Sequence, residues 1–103
     1  MTYNPDNWVV VKIATPDGAF YKVLAGWSGG YLYGDSWKIN SGIKRVVEND
    51  HSYEFHGLSG SCYVCRKGTY RLSMATGGIY EKIKDTVSMM PEDTDWTELE
   101  LPL

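Results

Sequence analysis

Short apolar runs, broken by glycine and polar turn residues, recur along most of this chain. The run 8–13 is mostly β-branched, which predicts a strand that is buried on both faces near its start. Residues 15–18, Thr-Pro-Asp-Gly, have the composition of a β-turn, because proline presets φ and glycine accepts a left-handed conformation. The run 20–25 is then predicted to return as the second strand of a hairpin.

The segment 26–42 concentrates glycine and large aromatic rings. It holds five of the chain's 11 glycines and two of its four tryptophans. Glycine permits positive φ and a close approach of the backbone, so we expect this segment to turn sharply more than once. Short strands are predicted at 31–33 and 36–39, with a bulge or turn at Gly34-Asp35 between them.

Three more strands are predicted, at 43–48, 52–56 and 62–66. In the second of them, Tyr53 and Phe55 share one face because side chains alternate along a strand. Glu54 and His56 share the opposite face.

The periodicity becomes helical between residues 73 and 85, where Ile79 and Ile83 are four residues apart. Gly77-Gly78 is a poor helix interior, so we expect the helix to begin at Gly78. The predicted fold class is therefore β-rich α+β. It comprises six to seven short strands in a small curled antiparallel sheet or partial barrel, with one helix near 73–85.

The acidic segment 91–103 carries five carboxylates and no base. Its run 96–101 alternates in polarity, which predicts a terminal strand with Trp96 on the face opposite Leu99 and Leu101. The carboxylates are either solvated or paired with basic residues of the preceding chain; the candidates are Arg66, Lys67, Arg71, Lys82 and Lys84.

Length and charge limit the classes of function. The 103 residues are expected to form a single domain, 1–103, and their net charge is −3. An acidic balance argues against nucleic-acid binding driven by phosphate neutralisation. The sequence contains neither a basic, apolar leader nor an apolar run of the roughly 18–20 residues that span a membrane. We therefore expect a cytoplasmic protein without a membrane partner.

The aromatic segment is the strongest candidate for a binding site. Tryptophan and tyrosine are typical of protein-binding hot spots, and they also stack on sugars and nucleobases. A second glycine-rich loop, 57–61, could lie beside the first. The candidate binding residues are Trp27, Tyr31, Tyr33, Asp35, Trp37 and Ser59.

Cys62 and Cys65 form a single C-x-x-C, which is expected to be reduced in the cytoplasm. With His51 and His56 they are weak candidates for a four-ligand zinc site. The motif falls in a predicted strand, however, where residues i and i+3 point to opposite faces. That geometry opposes a shared metal or disulfide unless a bulge intervenes.

A resemblance adds to this interpretation. The sequence of 25–43, AGWSGGYLYGDSWKINSGI, and that of 90–96, MPEDTDW, resemble short uncharacterised proteins carried by bacteriophages and prophages. This resemblance brings no known activity or catalytic residue. It implies a small accessory protein that binds a host component, in the host cytoplasm.

The sequence therefore predicts a small non-enzymatic protein that binds or inhibits a host protein through its aromatic, glycine-rich surface. The alternative is a nucleotide- or sugar-binding module that uses the same rings, and a zinc-binding domain is third. No base, nucleophile and orienting group occur at a spacing that compels an enzyme. We expect no cofactor. The sequence does not decide whether the protein forms a homo-oligomer.

Overall fold

The computed structural model describes residues 1–29 and 34–101. Within these ranges the chain forms eight strands, one α-helix and one 3-10 helix. The strands are β1 (Thr2–Tyr3), β2 (Asn7–Thr15), β3 (Gly18–Trp27), β4 (Ser36–Ile39), β5 (Ile43–Glu48), β6 (Ser52–Gly57), β7 (Cys62–Arg66) and β8 (Ser88–Met89). The helix α1 spans Met74–Ile83, and the 3-10 helix spans Trp96–Glu98.

The strands form two four-stranded sheets, in the orders β4-β3-β2-β8 and β1-β7-β6-β5. The predicted β2–β3 hairpin is confirmed, with Thr15 paired to Gly18 at its turn. β1 runs parallel to β7, and the other pairs are antiparallel. The β-rich α+β class with one helix is confirmed. In the part of the chain that is described, the sheets do not close into a barrel.

The core lies between the inner faces of the two sheets. Trp8 and Val23 from one sheet meet Phe55, Tyr63 and Cys65 from the other, and each of these side chains is buried. The Trp8 ring also donates a hydrogen bond from Nε1 to the carbonyl at the end of β7, at 2.9 Å. This bond satisfies the indole nitrogen inside an apolar environment.

β2 is buried on both faces near its start, as predicted, and α1 packs against β3 and β4 of the same sheet. Gly26 on β3 makes this close packing possible. A Cβ at this position would lie 2.8 Å from both Asn7 Oδ1 and Ser73 Oγ. The close backbone approach expected for the glycine-rich segment therefore occurs at Gly26.

The predicted start of the helix at Gly78 is wrong. Ser73 caps the helix: its Oγ accepts a hydrogen bond from the Thr76 backbone, while Thr76 Oγ1 accepts one from the Ser73 backbone at 2.7 Å. This reciprocal pair satisfies two backbone donors of the first turn, so the helix begins at Met74. Gly77 and Gly78 lie inside it, at a cost in helix propensity that the cap helps to offset.

The predicted terminal strand at 96–101 is also wrong. Asp95 Oδ1 accepts hydrogen bonds from Thr97, which nucleates the 3-10 helix. Trp96 is buried in the core, and Leu99 and Leu101 pack against the same cluster. Among the described residues, the ion pairs involve none of the carboxylates of 91–101. An aromatic anchor, and not charge pairing with the basic candidates, holds this segment.

The described residues contain no helix with the length and apolarity that a membrane crossing requires.

Candidate functional site

The two tryptophans of the glycine-rich segment lie on opposite faces of the β4-β3-β2-β8 sheet. Trp37 on β4 is the register partner of Gly26, and Gly26 faces the first turn of α1. Trp27 follows Gly26 on β3, so its side chain points to the inner face, where it packs against the core. The structure thus separates two rings that the sequence suggested as one surface.

Trp27 is half-buried and joins the N-terminal segment to the end of β3. Its Nε1 donates to the Asn4 carbonyl at 3.1 Å, and its ring lies edge-on to Tyr3 with centroids 6.2 Å apart. The next residue, Ser28, donates its backbone N–H to Asp6 Oδ2 at 2.7 Å. These contacts give Trp27 a structural role.

Trp37, in contrast, leaves much of its ring in solvent. It is 43% exposed, and Asp35, Ser36 and Lys38 around it in the chain are exposed as well. Met74, the first residue of α1, is 87% exposed. An accessible indole with polar neighbours has the composition of an interface centre and its rim.

Ser59 belongs to the loop between β6 and β7 and is held by Ser41. The Ser59 backbone N–H donates to Ser41 Oγ at 2.9 Å, and the two hydroxyls are 3.1 Å apart. The same loop exposes Leu58, whose backbone N–H donates to the Gly42 carbonyl. Ser59 therefore ties two turns together.

Tyr31 and Tyr33, the other predicted rings, lie outside the described residues.

The four candidate zinc ligands do not come together. Both cysteines are free thiols, but Cys65 is buried in the core while Cys62 lies half-buried on the opposite face of β7. The expectation that a strand would separate the two cysteines is confirmed. His51 is exposed near the β5–β6 turn. Of the four, only His56 and Cys62 meet.

A third residue joins them to form a cluster that the sequence did not single out. Glu54, His56 and Cys62 lie on the outer face of β6 and β7, turned away from the core. His56 Nε2 is 3.2 Å from Glu54 Oε1 and 3.9 Å from Cys62 Sγ. All three potential ligand atoms lie within 4.8 Å of one another. We refer to these three residues as the outer-face cluster.

Strand register builds the outer-face cluster. His56 and Cys62 are direct partners across the β6–β7 pair, which places their side chains side by side. Glu54 lies two residues before His56 and so shares its face. The alternation of Glu54 and His56 was visible in the sequence. The position of Cys62 beside His56 could not be predicted without knowing the register of β6 and β7.

Hydrogen bonds and burial shift the pKa values of Glu54 and Cys62 in opposite directions. Bonds from the side chains of Asn49 and His56 lower the pKa of the Glu54 carboxyl group, so it is ionised near neutral pH. The Asn49 bond, from Nδ2 to Glu54 Oε2, is 2.8 Å long. Burial raises the pKa of the Cys62 thiol, and the Glu54 charge raises it further. Arg45, the partner of His56 on β5, opposes that rise.

A separate crevice of about 160 Å³ opens beside the core. Its walls are aromatic, with Lys67 and Glu92 among the lining residues; the rings are Trp8, Tyr53, Tyr70 and Trp96. Tyr70 is committed to the fold, because its hydroxyl accepts from Val10 N at 3.1 Å and bonds to the Met90 carbonyl. Two further surface crevices measure about 300 and 220 Å³.

These three crevices do not support the predicted stacking pocket. None of the three has Trp27, Asp35 or Trp37 among the described residues that line it. Their volumes fall at or below the roughly 300–1,000 Å³ typical of small-molecule sites. The nucleotide- or sugar-binding alternative stays a prediction.

Comparisons with known proteins identify no relative: no family model, no curated protein and no solved structure matches this chain. Function is therefore inferred from the chain's own residues.

Proposed function

We propose that this protein is a small non-enzymatic binding domain that contacts a protein partner through the surface around Trp37. The exposure of Trp37 carries the proposal. Trp8 and Trp96 are 2% exposed, and Trp27 is half-buried and hydrogen-bonded, but 43% of Trp37 is left to solvent. An exposed indole gains apolar burial when a partner covers it, and tryptophan is enriched among binding hot spots.

The surroundings of Trp37 support a protein partner over a small ligand. Trp37 lies on a four-residue strand, and the described crevices do not include it. A ring on an open surface suits a broad contact with a polar rim, whereas a small ligand needs a concave site. The resemblance of 25–43 to phage-carried proteins makes a host protein the kind of partner we propose.

The test measures binding to a candidate partner, first isolated with the intact protein from host-type lysate and then purified. Trp37→Ala is expected to raise Kd by about 30-fold or more, because a hot-spot truncation costs about 2 kcal/mol or more. Circular dichroism would check that the variant is folded. Leu58→Ala is the matched control, since Leu58 is similarly exposed at 47%.

Leu58→Ala is expected to leave Kd within about twofold, as is usual for a residue outside the hot spot. If a folded Trp37→Ala variant bound the partner as tightly as the unmodified protein, the proposed surface would be wrong.

A further inference from the structure

The distances within the outer-face cluster match the ligand spacing of one metal ion. In tetrahedral zinc sites the ligand bonds imply about 3.6 Å between sulfur and nitrogen and about 3.4 Å between nitrogen and oxygen. The corresponding distances here, from His56 Nε2 to Cys62 Sγ and to Glu54 Oε1, are 3.9 and 3.2 Å. The ligand atoms are therefore close to metal-binding positions already.

The third separation in the cluster is bounded less tightly than the other two. All three potential ligand atoms lie within 4.8 Å of one another, whereas the ligand atoms of a tetrahedral zinc site lie about 3.4–3.6 Å apart. Rotation of the Glu54 and Cys62 side chains that moves their ligand atoms by up to about 1 Å would close the widest separation to this spacing. The backbone of β6 and β7 would not need to move.

The same geometry does not fit a catalytic relay of cysteine, histidine and acid. In such a relay one imidazole nitrogen faces the nucleophile and the other is held by the acid. Here a single atom, His56 Nε2, faces both Glu54 and Cys62. Convergence on one nitrogen suits a shared ion and leaves Nδ1 free to carry the imidazole proton.

The surroundings of the cluster also suit a metal. Asn49 holds the second oxygen of Glu54, which leaves Oε1 directed toward His56. Outer hydrogen bonds of this kind orient metal-ligating carboxylates. The side chains of His56 and Glu54 are 22% and 33% exposed, so water can reach a fourth coordination position.

We infer that Glu54, His56 and Cys62 form a binding site for a divalent ion of the zinc class, with water as the fourth ligand. Mixed sulfur, nitrogen and oxygen ligands select a borderline-soft ion such as Zn²⁺ and disfavour Mg²⁺ and Ca²⁺, which prefer oxygen ligands alone. The site needs neither Cys65 nor His51. It therefore differs from the four-ligand set that the sequence suggested.

The test titrates the chelator-treated full chain with Co²⁺, whose absorption reports thiolate coordination. The unmodified protein is expected to develop a sulfur-to-cobalt charge-transfer band that saturates at one Co²⁺ per chain and is displaced by Zn²⁺. Cys62→Ser should abolish the band. His56→Gln and Glu54→Gln should each weaken Co²⁺ binding by at least about tenfold, because even the loss of an outer hydrogen bond costs that much.

Two matched controls distinguish this site from the C-x-x-C alternative. Cys65→Ala and His51→Gln should keep both the band and the affinity, because neither side chain belongs to the cluster. A second measurement follows alkylation of the thiols by mass spectrometry. Zn²⁺ should slow the modification of Cys62 in the unmodified protein but not in the His56→Gln variant.

The absence of any band in the unmodified protein would overturn the proposal. So would a band that survives in Cys62→Ser and disappears in Cys65→Ala, since the metal would then depend on the buried thiol. Circular dichroism of each variant ensures that a lost band reports a lost ligand and not a lost fold.

Discussion

The inner and outer faces of the β6–β7 pair have opposite chemistry. The inner face presents Phe55, Tyr63 and Cys65, all 3% exposed or less. The outer face presents the half-buried outer-face cluster. Two cysteines that are three residues apart therefore share no environment. A C-x-x-C in a strand is two separate sites, because alternation sends its thiols to different faces.

The comparison extends to ionisation. Burial raises the pKa of the Cys65 thiol well above its usual range, so this side chain behaves as a small apolar residue. Burial raises the pKa of Cys62 too, but Arg45 and Glu54 also act on it. The outer face presents a carboxylate, an imidazole and a half-buried thiol, which are groups that can bind a cation. The inner face contributes stability, and the outer face is where chemistry could occur.

The largest expected effect is on the inner face, at Trp96. Trp96→Ala should lower the free energy of unfolding by about 3–5 kcal/mol, since the buried ring packs against several other rings. Its centroid lies 5.5 Å from Tyr70, 5.7 Å from Trp8 and 6.0 Å from Phe55. Urea unfolding measures the loss. The exposed Trp37→Ala is the control, and an equal loss there would contradict the assignment of Trp96 to the core.

Metal should stabilise the protein through the outer face alone. At a free Zn²⁺ concentration 100 times Kd, the free energy of unfolding should rise by about 2.7 kcal/mol if the unfolded chain does not bind the ion. Thermal unfolding of chelator-treated protein, with and without Zn²⁺, measures this shift. Cys62→Ser should show no shift. If Zn²⁺ still stabilised the Cys62→Ser variant, the ion would have to bind somewhere other than the outer-face cluster.

The two cysteines should respond differently to the same substitution. Cys65→Ser should lower the free energy of unfolding by about 1–3 kcal/mol, because it buries a hydroxyl among apolar side chains. Cys62→Ser should change it by no more than about 0.5 kcal/mol in the absence of metal. Urea unfolding under reducing conditions compares the two variants. An equal loss of unfolding free energy in both variants would contradict the difference between the two faces.

Tyr70, at the rim of the core, predicts a dependence on alkaline pH. Burial raises the pKa of its hydroxyl to about 12. In the unfolded chain the group ionises near pH 10, so the folded state holds the proton over a range where the unfolded state has lost it. The free energy of unfolding should therefore fall as pH rises from about 10 to 12.

Partial exposure of Tyr70 limits that fall to about 1–2 kcal/mol. Tyr70→Phe removes the titrating group and should flatten this part of the pH profile, although it also removes the hydrogen bonds to Val10 and Met90. Urea unfolding between pH 9 and 12 compares the slopes. An unchanged slope in the variant would assign the alkaline loss to another group.

The smallest expected effect is that of Arg45 on Zn²⁺ binding at the outer-face cluster. Arg45 pairs with His56 on β5, and its charge acts on both Glu54 and Cys62. Arg45→Gln should therefore tighten Zn²⁺ binding by about two- to sixfold at low ionic strength, because it removes a like charge near the ion. Isothermal titration at low and high salt measures the change. Weaker binding after the substitution would contradict a cation site here.

Local sequence patterns predicted several elements well. The predicted strands at 43–48 and 62–66 match β5 and β7 at both ends, and the hairpin turn at 15–18 is in place. Alternation also placed Phe55 and Glu54 on opposite faces. These features depend on residues within a few positions of one another, which a single sequence displays directly.

Two predictions were wrong: the start of the helix and the strand at 96–101. The helix begins at Met74 because Ser73 and Thr76 cap each other, which outweighs the cost of Gly77-Gly78. The C-terminal segment alternates like a strand, yet burial of Trp96 among distant rings turns it into a 3-10 helix. Ser73 and Asp95 are N-cap residue types that the sequence displays, whereas the burial of Trp96 depends on rings that are distant in the chain.

The sequence by itself determined the alternation, the turns and the separation of Cys62 from Cys65, because these follow from the period of a strand. The tertiary structure decided which face of each strand became core. It also decided the register that sets Cys62 beside His56 and leaves Trp37 exposed. Register and sheet packing join residues that are far apart in the chain, and no local pattern encodes that choice.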